Sequence, residues 1–221
     1  MTLAIFDLDN TLLCGDSDHA WGDFLVTEGV VDGDAYRSAN DAFLKAYQNG
    51  TLKIRDYLAF ALQPLAQTPL PRLLALREQF MQERIYPLIL PKGQALVADH
   101  RRQGHQLLMI TATNQFVTAP IADALGFESL IATEPEFLDG AYTGRVQGTP
   151  SFQEGKIERL HQWLAATGGG EQQMQGAWFY SDSHNDLPLL EQVQNPVAVD
   201  PDDTLARAAR DRGWPVISLR G

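Results

Sequence analysis

The sequence predicts an α/β fold, a doubly wound and mostly parallel sheet carrying an inserted helical cap. Three observations predict it. An apolar strand, Leu3-Ala4-Ile5-Phe6, runs directly into two carboxylates, Asp7 and Asp9. From Pro91 onward, short apolar runs alternate with helical segments, as in a sheet built from right-handed crossovers. Between these two parts lies a long stretch whose apolar residues recur only at helical spacing.

The opening strand needs no special explanation, since four apolar residues suit a buried position. The acids at its end do. The carboxyl ends of strands in an open α/β sheet are where ligands bind, and two acids alternating there form a hard oxygen site for Mg²⁺. An Asp turn or helix cap is the alternative for the same residues.

After the strand, Gly15, Asp16 and Ser17 read as a linker. Apolar residues then follow at helical spacing from Trp21 to Met81, predicting about four short helices. Asn49-Gly50 ends one of them, and Thr51 can cap the next. Pro64 and the Pro69–Pro71 region separate the last two. Residues 15–86 are therefore expected to form the cap, and residues 1–14 with 87–221 the core.

In the core, a helix is expected over about 92–103, then a strand over 106–110 ending at Thr111. A helix follows over about 115–125, with Asn114 the better cap candidate, and then a strand over 129–133. A small hairpin is expected over 140–146, a helix over about 152–166 and a flexible joint at Gly168-Gly169-Gly170. Strand 177–181 delivers Asp182, and strands 196–199 and 215–219 complete a Rossmann-like order.

Composition narrows the partners. A chain of 221 residues suits one α/β domain with a substantial insertion. A net charge of −11 repels nucleic acid and anionic membranes, so neither is expected as a partner. One cysteine, Cys14, cannot form an internal disulfide and suits a reducing compartment. The opening residues lack a basic segment before their apolar run, which acids soon interrupt. The expectation is a cytoplasmic protein, a monomer or homodimer, acting on a small molecule.

Asp7-Leu8-Asp9-Asn10-Thr11-Leu12 resembles the DxDxT motif of the haloacid dehalogenase superfamily of phosphohydrolases. A strand ending in Thr111, then Lys156, then Asp182-Ser183-His184-Asn185-Asp186 resemble its later motifs in the same order. The resemblance implies that Asp7 is a nucleophile forming an aspartyl-phosphate and that Asp9 is the general acid and base. It implies that Thr111, the backbone of Ala112, Lys156 and Asn185 bind phosphate. It also implies that Asp7, Asp9 and Asp182 hold Mg²⁺, with Asp186 acting through water or paired to Lys156. Ser183 replaces the usual glycine of this last motif, and His184 has no counterpart role.

The insertion resembles the helical cap of the phosphoserine phosphatase-like branch, in which an acid nine residues after the nucleophile binds the substrate amine. That position is Asp16, with Asp18, His19 and Trp21 nearby as further substrate-binding candidates. Gly50-Thr51-Leu52-Lys53-Ile54 aligns with the branch pattern. The arginine expected seven residues later, which grips a carboxylate, is replaced by Ala61. Arg55 lies at a different helical phase, and a displaced arginine does not reproduce bidentate geometry. A cap with acids and no cation favours a cationic phosphomonoester lacking a carboxylate, with Trp21 to stack on a ring. Histidinol phosphate fits, placing the chain in histidine synthesis. Phosphoserine hydrolysis or phosphotransfer to an alcohol is the runner-up, and a non-catalytic phospho-metabolite-binding or regulatory protein is the alternative of another class.

Overall fold

The computed structural model describes residues 2–174 and 176–221. Its described strands form one seven-stranded sheet: β1 (Leu3–Phe6), β2 (Gln106–Asn114), β3 (Ser129–Leu138), β4 (Ala141–Gln147), β5 (Trp178–Ser181), β6 (Asn195–Val199) and β7 (Val216–Ile217). They lie in the order β4-β3-β2-β1-β5-β6-β7, parallel except for the β3/β4 hairpin. The chain steps to one side of β1 through β2 and to the other through β5. The carboxyl end of β1 is therefore the topological switch point, where a crevice opens between diverging connections.

β1 obeys the period of two expected of a strand buried on both faces. Ala4 and Phe6 join the core on one side of the sheet, and Leu3 and Ile5 join the core on the other. All four are fully buried. The α-helices flanking the sheet are α6 (Pro91–Arg102), α7 (Gln115–Leu125), α8 (Glu154–Ala166), α9 (Glu171–Met174), α10 (Leu187–Leu190) and α11 (Asp203–Arg212). Asn114 caps α7, its Oδ1 accepting from the Val117 amide, as its type and place predict.

Between β1 and α6 the described residues hold α1 (Ser17–Thr27), α2 (Gly33–Gln48), α3 (Ile54–Ala61), α4 (Gln63–Gln67) and α5 (Leu70–Phe80), one more helix than expected. Pro64 begins α4 rather than only ending α3. After α5 the chain widens into a π-helical turn, Met81–Ile85. α1 and α5 are anchored on α7, because Trp21, Phe24 and Phe80 share one buried cluster with Phe116. α2 differs: of its sixteen residues only Asn40 is buried. It packs on α3 through aromatic rings, Tyr36 on Phe60 and Phe43 on Tyr57. The chain leaves and rejoins the sheet domain at one place. There the Cys14 amide donates to the Leu88 carbonyl, the Leu90 amide donates to the Leu12 carbonyl, and Leu13 pairs with Ile89.

Other details depart from expectation, among them the last strand, which holds only Val216–Ile217 instead of 215–219. Asp16 and Ser17 are not linker: Asp16 is the N-cap of α1 and Ser17 its first residue. Thr51 does not cap α3, which starts three residues later; its hydroxyl turns back to the Ala46 carbonyl at 3.4 Å. β3 runs on to Leu138 and pairs with β4, so the hairpin is larger and its turn is Asp139-Gly140. β2 continues past Thr111 to Asn114, with an irregular register against β3 between Ile110 and Asn114. Irregularities of this kind re-aim side chains next to functional sites.

The start of α8 depends on a missing side chain. A Cβ at Gly155 would lie 2.1 Å from the Pro150 carbonyl oxygen, which belongs to the backbone and cannot swing aside. Replacement of Gly155 by Ala is expected to cost about 1–3 kcal/mol through overpacking. Chemical denaturation measures this, and an unchanged midpoint would show that the loop gives freely.

Candidate active site

Three strand ends deliver the site. Asp7 follows β1, Thr111 lies near the end of β2, and Asp182 follows β5. The Asp7 amide donates to the Tyr180 carbonyl at 2.9 Å, carrying the β1/β5 ladder one residue past the strand. Lys156, near the amino end of α8, reaches beneath Asp7. Its Nζ lies 2.8 Å from Asp7 Oδ1 and 2.7 Å from Asp186 Oδ1. All three side chains are almost completely buried, and Ser181 Oγ donates to the second oxygen of Asp186 at 2.7 Å. Asp186 thus takes the paired arrangement of the two expected for it.

Thr11 ties the other carboxylate in. Its hydroxyl lies 3.1 Å from Asp182 Oδ1 and 3.4 Å from Asp7 Oδ2, and it accepts from the Asp182 amide. Asp9 is braced from two sides: Oδ1 accepts from the Ser17 amide at 2.6 Å, and Oδ2 accepts from the Thr113 hydroxyl at 2.8 Å. Thr111 and Ala112 line the cleft, and the Thr113 amide donates to Thr111 Oγ1.

Too few cations serve these acids. Burial is the main cause pushing Asp7 up to about 7, with the charges of Asp186 and Asp9 adding and Lys156 opposing. Asp9 is likewise pushed up to about 7 by burial and then by Asp16, against the hydrogen bonds from Ser17 and Thr113. Asp182 is raised well above the usual range by burial and then by Asp7 and Asp186. Burial works against the Lys156 charge, but Asp186 and Asp7 outweigh it and raise the ammonium. The donor set suits a hard divalent cation: side-chain oxygens of Asp7 and Asp182, the Asp9 carbonyl and waters. Among the described residues no group of three or more His, Cys, Asp or Glu side chains is spaced to close on a metal unaided.

Above these acids lies a cleft. Asp16, Asp18 and His19 line it together with Phe43, Tyr47, Tyr57 and Phe152; among the described residues no arginine or lysine lines it. Asp16 accepts from the His19 amide at 2.8 Å, and Asp18 accepts from Asn114 Nδ2 at 3.3 Å. Burial raises Asp16, and it pushes Asp18 up to about 7 against the hydrogen bond from Tyr57. His19 Nε2 meets Asp41 at 2.8 Å. Arg55 is exposed, Ala61 is buried, and neither faces the cleft.

Two expected site residues lie elsewhere in role. Trp21 is buried among Phe24, Phe80 and Phe116, with ring centroids 5.1–5.8 Å away, so it builds core and cannot stack on a ligand. Its face of α1 turns toward α5 and α7, and the aromatic walls come from α2, α3 and Phe152. Asn185, expected on the phosphate, has its amide N–H groups directed at the Tyr47 carbonyl at 3.1 Å and Ser183 Oγ at 3.2 Å. It braces the insertion instead. The sequence offers Thr11 only as the last named residue of the DxDxT motif, without a role, and does not point to Thr113 or Ser181. Thr113 stands at i+2 from Thr111, and a strand's period of two was the available signal.

Comparison with known proteins gives concordant results. A family model described as haloacid dehalogenase-like hydrolase matches residues 4–191. The chain is 46% identical to a histidinol-phosphatase of Neisseria meningitidis serogroup C, over 99% of both chains. It is 32% identical to a phosphoserine phosphatase of Mycobacterium tuberculosis, over 98% of this chain and 70% of that protein. Among solved structures, a protein of unknown function from Bordetella pertussis Tohama I superposes with a TM-score of 0.93 at 45% identity, over 99% of this chain and 100% of that one. A phosphoserine phosphatase caught as a phospho-aspartyl analogue superposes at 0.70 with 14% identity, over 99% and 93%, a likeness of fold.

Replacing Lys156 by Met removes the only cation bonded to Asp7 and Asp186 among the described residues. Breaking a buried pair of this kind costs about 3–5 kcal/mol. Buried acids titrating near 7 resist ionisation, so their cost is present above that pH and is relieved as pH falls toward 4. The K156M loss of stability is therefore expected to be larger at pH 8 than at pH 5.5. Equal losses at both would mean that electrostatics does not set it.

Proposed function

The chain belongs to the haloacid dehalogenase-like hydrolase family, and from that we propose that it is a Mg²⁺-dependent phosphatase of histidinol phosphate working in the cytoplasm. The single observation that carries the substrate is the cleft. Besides Asp7 and Asp9 it presents Asp16, Asp18 and aromatic walls, with no arginine or lysine among the described residues that line it. An ammonium can settle on Asp16 and an imidazole ring between the aromatic walls within reach of Asp18. A substrate carboxylate would find no bidentate cation there, which argues against phosphoserine. The relative's printed name, histidinol-phosphatase, supports the same reading.

Asp7 is assigned as the nucleophile. Its oxygen bonds to phosphorus as the phosphorus–alkoxide bond breaks, and Asp9 delivers a proton to the departing oxygen. Asp9 then takes a proton from water, whose oxygen attacks phosphorus and releases Asp7 and inorganic phosphate. A carboxyl poised near 7 suits both halves of that exchange. Its two braces hold it over the departing oxygen. Lys156 keeps Asp7 aimed and offsets part of the charge brought by the phosphoryl group, while Thr111 and the Ala112 amide are assigned as donors to its oxygens. Asp7, Asp182 and the Asp9 carbonyl are the groups that would hold Mg²⁺. When bound, the ion offsets the repulsion between a carboxylate nucleophile and a phosphate dianion.

Phosphate release with Mg²⁺ is expected to favour histidinol phosphate over phosphoserine, phosphoethanolamine and sugar phosphates; equal, slow turnover of all of them would sink the assignment. Asp18→Asn is expected to lower kcat/KM for histidinol phosphate about tenfold or more, as loss of a charge-assisted hydrogen bond does. Arg55→Ala should leave it unchanged. Protons compete with the metal for carboxylates titrating near 7. The rise in melting temperature on adding Mg²⁺ should therefore be greater at pH 8 than at pH 5.5, and a pH-independent rise would place the ion elsewhere.

A further inference from the structure

Gln153, the residue just before α8, occupies a backbone conformation that an L-residue rarely adopts, with φ +48° and ψ −122°. Glycine would fit this position without strain. A glutamine there needs a reason, and its side chain supplies one. Gln153 Nε2 donates to Asn185 Oδ1 at 3.0 Å, and Asn185 Nδ2 donates to the Tyr47 carbonyl at 3.1 Å. Tyr47 lies at the end of α2, the weakly buried helix that roofs the cleft.

The chain of bonds has a direction. A carbonyl can only accept, so the Asn185 amide must turn its nitrogen toward Tyr47, which leaves its oxygen facing Gln153 and in need of a donor. Gln153 provides that donor and commits the amide to one orientation. Next to this bond, His184 is held by Asp202 through Nδ1 at 2.7 Å, and its Nε2 closes on Gly50. Gly50 has φ +67°, and a Cβ there would sit 2.7 Å from that nitrogen. One core loop, His184-Asn185, thus meets the end of α2 through a hydrogen bond to the Tyr47 carbonyl and a close approach to Gly50. The same loop carries Asp186, which is bound to Lys156.

We infer that Gln153 is a positioning residue: by orienting the Asn185 amide, it latches the Tyr47 end of α2 to the core and keeps that helix seated over the Asp16 and Asp18 part of the cleft. The inference rests on the phosphatase reading for its kinetic consequence only. The latch itself consists of hydrogen bonds between residues of the chain.

The test uses Gln153→Glu and Gln153→Gly in the full chain. Glutamate can only accept, so it draws the Asn185 nitrogen to itself and turns the oxygen against the Tyr47 carbonyl. Glycine removes the latch while relieving the backbone. In both variants the amides of Asn49, Gly50 and Thr51, which close the end of α2, are expected to exchange with solvent about tenfold faster. The kcat/KM for histidinol phosphate should fall about tenfold, while turnover of a small aryl phosphate that cannot reach Asp16 and Asp18 stays within about twofold. The melting temperature of the glycine variant should equal or exceed that of the parent. Unchanged exchange in both variants would overturn the inference, as would a glycine variant whose activity falls only in step with a lower melting temperature. Faster exchange in a protein that never turns over histidinol phosphate would leave the latch standing and sink the substrate.

Discussion

The contact on which the rest depends is the ammonium of Lys156 between the carboxylates of Asp7 and Asp186. Three charges out of water are tolerable only when geometry is tight and the remaining oxygens are satisfied. Ser181 and Thr11 help do this for Asp186 and Asp7. The contact also fixes distant parts of the chain, since it joins the end of β1, the first turn of α8 and the loop after β5. A lysine in the first turn opposes the helix dipole, so α8 gains nothing local from it. What it supplies is registry between strand end and helix start, which Gly155 makes possible by letting the Pro150 carbonyl approach.

Charge then divides the site into two storeys. The lower one carries Asp7, Asp9, Asp182 and Asp186 against a single lysine, an excess of negative charge suited to a hard cation and the anion it neutralises. The upper one carries Asp16 and Asp18 between aromatic rings, suited to a ligand positive at the end remote from its phosphate. Asp9 joins the storeys, because one of its oxygens is held by the first amide of α1 and the other by Thr113 on β2. The lower acids and the start of α1 above them share that brace.

Most of the lower storey was legible in the sequence, for a physical reason. Asp7 and Asp182 directly follow apolar strands, and Asp9 and Lys156 complete with them the order of motifs that the chain resembles, although each residue alone has an ordinary structural alternative. The upper storey was harder. Trp21 has the same helical spacing whether it faces ligand or core, and only the packing of α1 on α5 and α7 decides between them. Asn185 likewise offers an amide whose partner, the Tyr47 carbonyl, lies 138 positions away in the chain. Thr51 could cap or turn back, and local sequence does not choose. The length of β3 depended on the antiparallel partner that the following turn brings alongside it.

The insertion leaves and rejoins the sheet domain through two hydrogen-bonded stretches of chain, Leu12–Cys14 and Leu88–Leu90. Its two ends are thus a single address on the surface. A segment with closely spaced ends can be lengthened, shortened or exchanged for another without altering the order of strands beneath it. The acids at the strand ends would remain where they are, and a different ligand would meet the same chemistry. On this plan the catalytic machinery and the taste for substrate are separately heritable, and a new specificity needs a splice at one point rather than a redesigned sheet.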